Sequence, residues 1–345
     1  MKLTLLIVAI LLAAISLAGY LLSSRNHFLS FGRFYGMISP ETGFYPTARE
    51  VRTLAIATLD KKKTNIIVGG SSVLNGAGQS SDKIWSRELS AALGDDYRVL
   101  NLATDGGDVA GIGSFTAEAM SREGYPIIYV SDMAIALTTQ VIGSELYRYF
   151  YWDARARGYL YEYQPRDEAL ATQSQSQFSI LAIEEALNAY LNFYELKNYI
   201  SYELWNPRKQ TVDGEREPPE SLRYANPKEN LELYVHLSQV RPPALWPVVQ
   251  SYFEAALPDP IRRETILVVC LNSPGVSDFA PASARENFLM LQTRTAQSIA
   301  ATGAHPLAAC DGFTRDDYVD RVHLSIAGGQ KLAHRVADAI QNLRH

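Results

Sequence analysis

The most apolar stretch lies at the start of the chain: after Lys2, the twenty residues Leu3 to Leu22 carry no charge. About twenty apolar residues suffice to cross a bilayer as a helix, whereas helices on the surface of a soluble core keep a polar face. The segment is therefore kept apart from the fold proper. It reads as a retained anchor, because apolar character continues through Tyr20, Leu21 and Leu22. The alternative is a signal peptide cleaved after Ala18, with Ser16 and Ala18 as the small residues of the site. No cysteine follows to carry a lipid, and either reading sends the rest of the chain across the membrane.

Residues 23–46 are broken by Gly32, Gly36, Pro40, Gly43 and Pro46 and read as a linker. From Thr47 to Lys63, helical spacing of Val51, Leu54, Ala55 and Leu59 predicts a helix ending on Lys61, Lys62 and Lys63, a solvated basic run. Short apolar runs then alternate with helical periodicity. Strands are expected at Asn65–Val68, Tyr97–Leu102, Ile127–Val130, Ile266–Leu271 and Pro306–Ala309. Helices are expected at Asp82–Leu93, Ala110–Arg122, Ala284–Thr302 and Ile326–Leu343. This alternation predicts an α/β fold, a five-stranded parallel doubly wound sheet covered on both faces. Residues 47–133 and 261–345 supply it, and 134–260 form an insertion after the third strand. Within that insertion Ser179–Asn198 and Leu231–Gln239 look helical, and Pro207–Pro227 reads as a polar loop. Ten of the twenty tyrosines fall between Tyr147 and Tyr202, Tyr147, Tyr149, Tyr151, Tyr159, Tyr161 and Tyr163 among them. They suit either the packing of a helical subdomain or a lid with aromatic faces for a sugar or acyl chain.

Composition removes several classes of function. With 345 residues, 47% hydrophobic and 20% charged, the chain is too apolar to be disordered. Its net charge of −5 offers no basic footprint, so nucleic acid is not an expected partner. Two cysteines cannot build a Cys-rich zinc site, and neither metal nor cofactor is expected. Cys270 and Cys310 each end an apolar strand and could approach one another across the sheet, where export would permit a bond; buried free thiols are the favoured expectation, since adjacent strands rarely hold disulfide geometry. Glu184-Glu185 and Asp95-Asp96 could be the paired carboxylates of a glycosidase, but helix faces and turns explain them more simply. His305, His334 and His345 have no partners at ligand-like spacing.

Two segments carry candidate chemistry. The first strand runs into Gly69-Gly70-Ser71-Ser72-Val73-Leu74-Asn75-Gly76, which exposes a serine where an apolar strand turns through glycines. Serines after strands are commonly helix caps, so this signal is weak alone. Near the other end stands Asp320-Arg321-Val322-His323-Leu324-Ser325, just after the last expected strand and before the last helix, with Ser325 placed to cap it. A carboxylate three residues before a histidine can orient the imidazole and stabilise its protonated form.

Together these segments resemble the SGNH (GDSL-like) hydrolase superfamily, over about Asn65 to Leu343 without the insertion. The first block, Gly70 to Gly76, has Ser71 where the family has aspartate, and the alignment implies Ser72 as nucleophile, with Ser71 as fallback. The second, Asn101-Leu102-Ala103-Thr104-Asp105-Gly106-Gly107, implies an oxyanion-hole N–H from Gly106. The last, Asp320 to His323, implies the rest of a Ser-His-Asp triad. The third block departs: the family's Gly-x-Asn-Asp is here Tyr129-Val130-Ser131-Asp132-Met133, without asparagine. The oxyanion hole would then rest on the Ser72 and Gly106 amides, with Ser131 Oγ as a possible third donor. The resemblance implies a flavodoxin-like sheet and acyl transfer on an ester, plausibly of an envelope polysaccharide or lipid. Its layout of anchor plus divergent domain is similar to membrane-anchored envelope acyl-transfer proteins. Expected placement is the bacterial inner membrane, held through residues 3–22, with the catalytic domain on the periplasmic or extracellular side; the alternative is secretion. A catalytically inactive SGNH-fold scaffold or glycan-binding module is the competing expectation. Oligomeric state and the choice between hydrolase and transferase are open.

Overall fold

The computed structural model describes residues 2–23, 46–80, 82–104, 107, 109–132, 187–205, 249–257, 259–270, 281–320 and 322–344. Most of the 134–260 insertion, including Leu231–Gln239, Pro207–Pro227 and the six tyrosines from Tyr147 to Tyr163, lies outside them, as does Gly106. The chain divides into two units, one holding the N-terminal helices and a helix from the 187–205 segment, the other holding the sheet.

The sheet unit has five parallel strands: β1 (Thr64–Val68), β2 (Tyr97–Asn101), β3 (Ile127–Asp132), β4 (Thr265–Val268) and β5 (His305–Leu307). Their order is β2-β1-β3-β4-β5, all parallel, with Ile66 opposite both Val99 and Ile128, and Val130 opposite Ile266. Three buried apolar strands, β1, β3 and β4, form its centre because both faces are covered, and the half-buried β2 and the three-residue β5 are its edges. One face places Ile66, Val68, Ile128, Val130, Ile266 and Val268 against Leu89, Leu332, Val336 and Ile340. Leu89 belongs to the helix Trp85–Leu93 and the others to the C-terminal helix Ile326–Arg344, whose apolar spacing makes the stripe a covering helix needs. Toward the other face Tyr129 is fully buried, and its hydroxyl donates to Val109 O, just before the helix Ile112–Arg122. The chain passes from β1 to β2 on one flank and returns to β3 on the other. That reversal opens a crevice at the strands' carboxyl ends, where α/β sheets place their sites.

Two expectations need correction. The helix expected over Thr47–Lys63 spans only Ala48–Thr58. Asn65 ends it from a distance: its Oδ1 accepts from Asp60 N and its Nδ2 donates to Asp60 O and Lys63 O, which ties the lysine run into a turn. Cys270 and Cys310 are not free thiols but a disulfide. Neither sits in the ladder, since β4 ends at Val268 and β5 at Leu307, and in the loops beyond their Cα atoms stand 5.1 Å apart.

In the other unit, α1 (Lys2–Ser23), α2 (Ala48–Thr58) and the helix Phe193–Trp205 meet. The first is the apolar segment, long and apolar enough to cross a membrane. Between the other two lies a buried polar cluster. Glu50 is 3% exposed and accepts from Thr47 N and from Asn198 Nδ2, while Thr47 Oγ1 donates to Glu195. Burial, and then the neighbouring Glu195 charge, push the Glu50 carboxyl up to about 8. Between its unfolded value of 4.5 and about 8 the folded chain holds a proton that the unfolded chain releases, so stability falls as pH rises through that window. Thermal unfolding of the detergent-solubilised chain should show this slope, and Glu50→Gln should flatten it. An identical slope in the variant would contradict the assignment.

Candidate functional site

The site is assembled at the carboxyl ends of the strands. After β1 the backbone turns at Gly70, whose φ of +97° is left-handed territory that side chains resist. Ser71 then caps the short helix Ser72–Asn75, its Oγ accepting from Val73 N. Ser72 is the first residue of that helix and half-buried.

The helix is held from several sides. Asn75 Nδ2 donates to Ala103 O, and Asn101 Nδ2 and the buried Trp85 Nε1 both donate to Leu74 O. The loop after β2 is drawn against the turn, where Thr104 N donates to Gly70 O. A Cβ on Gly107 would come within 2.2 Å of that same oxygen, so this close approach requires glycine.

The histidine loop is fixed as firmly. Tyr318 pairs with Leu324, Val319 N donates to His323 O, and Ser325 N donates to Asp317 O. Ser325 Oγ accepts from Gly328 N at the start of the C-terminal helix, as a cap does. Asp320 Oδ1 accepts the backbone N–H groups of Val322 and His323 at 2.9 and 2.8 Å, and its Oδ2 lies 2.6 Å from His323 Nδ1. With the Nδ1 proton directed to Asp320, Nε2 is an acceptor, and Ser72 Oγ stands 2.7 Å from it. Burial raises the Asp320 carboxyl, but its bonds from His323, then the His323 charge and the two backbone donors, prevail and hold it below the ordinary carboxylate range. Asp320 is therefore ionised at neutral pH. The side chains of His323 and Asp320 are 22% and 35% exposed, so solvent and solutes reach the cluster.

Ser72, His323 and Asp320 thus form one hydrogen-bonded relay from residues 251 positions apart. The arrangement can transfer a proton from a hydroxyl to an imidazole held in the correct tautomer, which activates an oxygen nucleophile. The Ser72 N–H has no acceptor among the described residues. Ser131 is fully buried, and its Oγ has no hydrogen-bond partner among the described residues. That hydroxyl lies on the Gly70 side of β3, 2.9 Å from where a Gly70 Cβ would stand.

Two residues of the site are ones that sequence reasoning missed in these roles. Asp132 accepts from Ser71 N at 2.6 Å and from Ser71 Oγ, so it clamps the turn before Ser72. Gln79 is fully buried, accepts from Trp85 N at 2.8 Å, and donates to Leu324 O and Ser325 O, which joins the serine segment to the histidine loop. A glutamine three residues after Gly76 in a glycine-rich turn carried no distinctive signal. Gln79→Ala leaves one N–H and two carbonyls buried without it, a cost of about 3 kcal/mol. Denaturant unfolding should show that loss; parental stability would rule out the bridging role.

Among the described residues no group of three or more His, Cys, Asp or Glu side chains is arranged to hold a metal ion. No protein-family model matches the chain, and no curated protein matches it.

Proposed function

We propose that the chain is an exported, membrane-anchored serine esterase or acyltransferase of SGNH type, with a flavodoxin-like catalytic domain. The observation that carries this reading is His323, placed 2.7 Å from Ser72 Oγ through one ring nitrogen and 2.6 Å from Asp320 through the other. His323 takes the Ser72 proton as Oγ attacks an ester carbonyl. The Ser72 amide and the Gly106 amide donate to the oxyanion, with Ser131 Oγ as a further donor if its side chain turns toward it. Asp320 stabilises the imidazolium, which then protonates the departing alcohol. Water or a sugar hydroxyl resolves the acyl-serine, with His323 as the base for that step. The substrate is an ester, plausibly on an envelope glycan or lipid.

Export is supported by the Cys270–Cys310 bond, since disulfides persist in oxidising compartments. Retention of α1 is supported by its packing. Cleavage after Ala18 would divide Ser16 from Gly19, and both pack against Asn192 of the same unit. The inactive-scaffold reading draws on the buried position of Ser131 and on the absent asparagine. A fluorophosphonate probe separates the two readings. Labelling of the full-length chain, mapped by mass spectrometry to Ser72, is expected. An unlabelled Ser72 in folded protein would remove the catalytic reading.

A further inference from the structure

Around Asn192 the 187–205 segment changes direction. Residues 187–191 are helical, Asn192 takes a φ of +48°, and the helix Phe193–Trp205 follows. This break is fitted to the end of α1. Asn192 Nδ2 donates to Ser16 O at 3.0 Å, Ser16 Oγ donates to Tyr190 O at 3.2 Å, and a Cβ on Gly19 would meet Asn192 O. Among the described side chains of α1, Ile15, Ser16, Ala18, Gly19 and Leu22 are the covered ones; Leu3 to Leu12 are exposed throughout.

The level of this contact along the membrane normal can be read from its polar groups. Arg49 Nη1 donates to Asn192 Oδ1 at 2.7 Å, and the same guanidinium lies 5.0 Å over the Tyr20 ring. An arginine paired with a tyrosine at the end of an apolar helix belongs at the headgroup boundary. At 1.5 Å per residue, Ser16 lies about 6 Å along α1 from Tyr20, on the bilayer side of that boundary. The sequence from Tyr190 to Asn192 follows α1 from Ser16 toward Gly19, so residues before Asn192 lie on the bilayer side of Arg49. Those residues present apolar surface: Leu187 is 58% exposed and Tyr190 81%, and Phe193 just beyond is 46% exposed. On α1 the residues flanking the contact, Leu17, Tyr20 and Leu21, are exposed as well.

We infer that residues 187–193 form a second membrane contact, which inserts Leu187, Tyr190 and Phe193 into the outer boundary of the phospholipid bilayer beside α1. The inference rests on α1 being a retained span. It gives the helical unit a fixed depth and orientation at the surface, because two points on different helices contact the lipid instead of one.

The test uses the full-length chain in vesicles of phosphatidylethanolamine and phosphatidylglycerol, with nitroxide-bearing acyl chains as quencher. Both native cysteines are in the disulfide, so Leu17→Cys, Leu187→Cys and Tyr190→Cys each provide a single thiol for an environment-sensitive fluorophore. Quenching at positions 187 and 190 comparable to that at 17, stronger with the nitroxide near the headgroup than near the chain end, is the expected result. Quenching at 17 alone overturns the inference, whether aqueous iodide reaches the other two labels or a protein surface shields them. Absence of quenching at 17 removes the anchor reading, and the inference with it.

Discussion

Ser72→Ala is expected to abolish fluorophosphonate labelling and to remove nearly all turnover of a short-chain aryl ester. Its Oγ is the atom that His323 Nε2 addresses, and among the described residues no other hydroxyl contacts that nitrogen. Losing the nucleophile of such a relay costs on the order of 10⁴-fold or more in rate. The fold should tolerate the change, because Ser72 is only half-buried and the helix cap comes from Ser71. His323→Ala should match it in rate, since members of a relay act as a unit and their losses do not add. Undiminished turnover in either variant, with an unchanged melting temperature, would sink the assignment.

Gly70→Ala is expected to damage both stability and activity although it removes no chemical group. At a φ of +97° an alanine is strained, at a cost of about 1–3 kcal/mol. The larger problem is space: the new Cβ would sit 2.1 Å from Asp132 Oδ1 and 2.9 Å from both Asp132 N and Ser131 Oγ. Two of these atoms belong to side chains and one to the backbone of β3, so either the strand or the turn must move. The displaced turn carries Ser71 and Ser72, and a shift of about 1 Å in a nucleophile can cost a hundredfold in rate. The expected outcome is a lower melting temperature with turnover reduced by about that factor. Wild-type values for both would show that the turn is not held by β3 in the way described.

The sheet was legible because a buried parallel strand leaves a short apolar run with a turn signal at each end, and β1, β3 and β4 have that form, while the half-buried edge strand β2 keeps Val99 and Leu100 between polar residues. The relay was legible because its two halves are each compact in sequence: a glycine-flanked serine after a strand, and an aspartate three residues before a histidine. What supports them was not, because the partners are remote. Asp132 reaches Ser71 across 61 positions and Gln79 reaches Ser325 across 246, and neither residue type announces such a bond. Asp132 stands in the block that lacks the family's asparagine, and its bonds to Ser71 are those of an acceptor, a role that block gave no reason to expect. Likewise α2 has the spacing of a sheet-covering helix, yet Glu50 on it bonds Asn198, a polar partner no apolar pattern could name. The disulfide was missed for a related reason: strand ends had to be known to within two residues before the cysteines could be placed beyond the ladder.

The clamp between β3 and the turn at Ser71 and Ser72 limits what can be substituted at either end of it. The junction holds one carboxylate, supplied by position 132, and meets it with a neutral hydroxyl and a backbone N–H at position 71. An aspartate introduced at 71 alone would set two anions within bonding range in a largely enclosed place, and one would have to take up a proton. Loss of Asp132 alone would leave the turn without its acceptor. Position 71 is therefore constrained by position 132: a neutral side chain bearing a hydroxyl fits the junction as it stands, and only an exchange of both residues together would keep a single carboxylate there, since either change alone would double it or remove it.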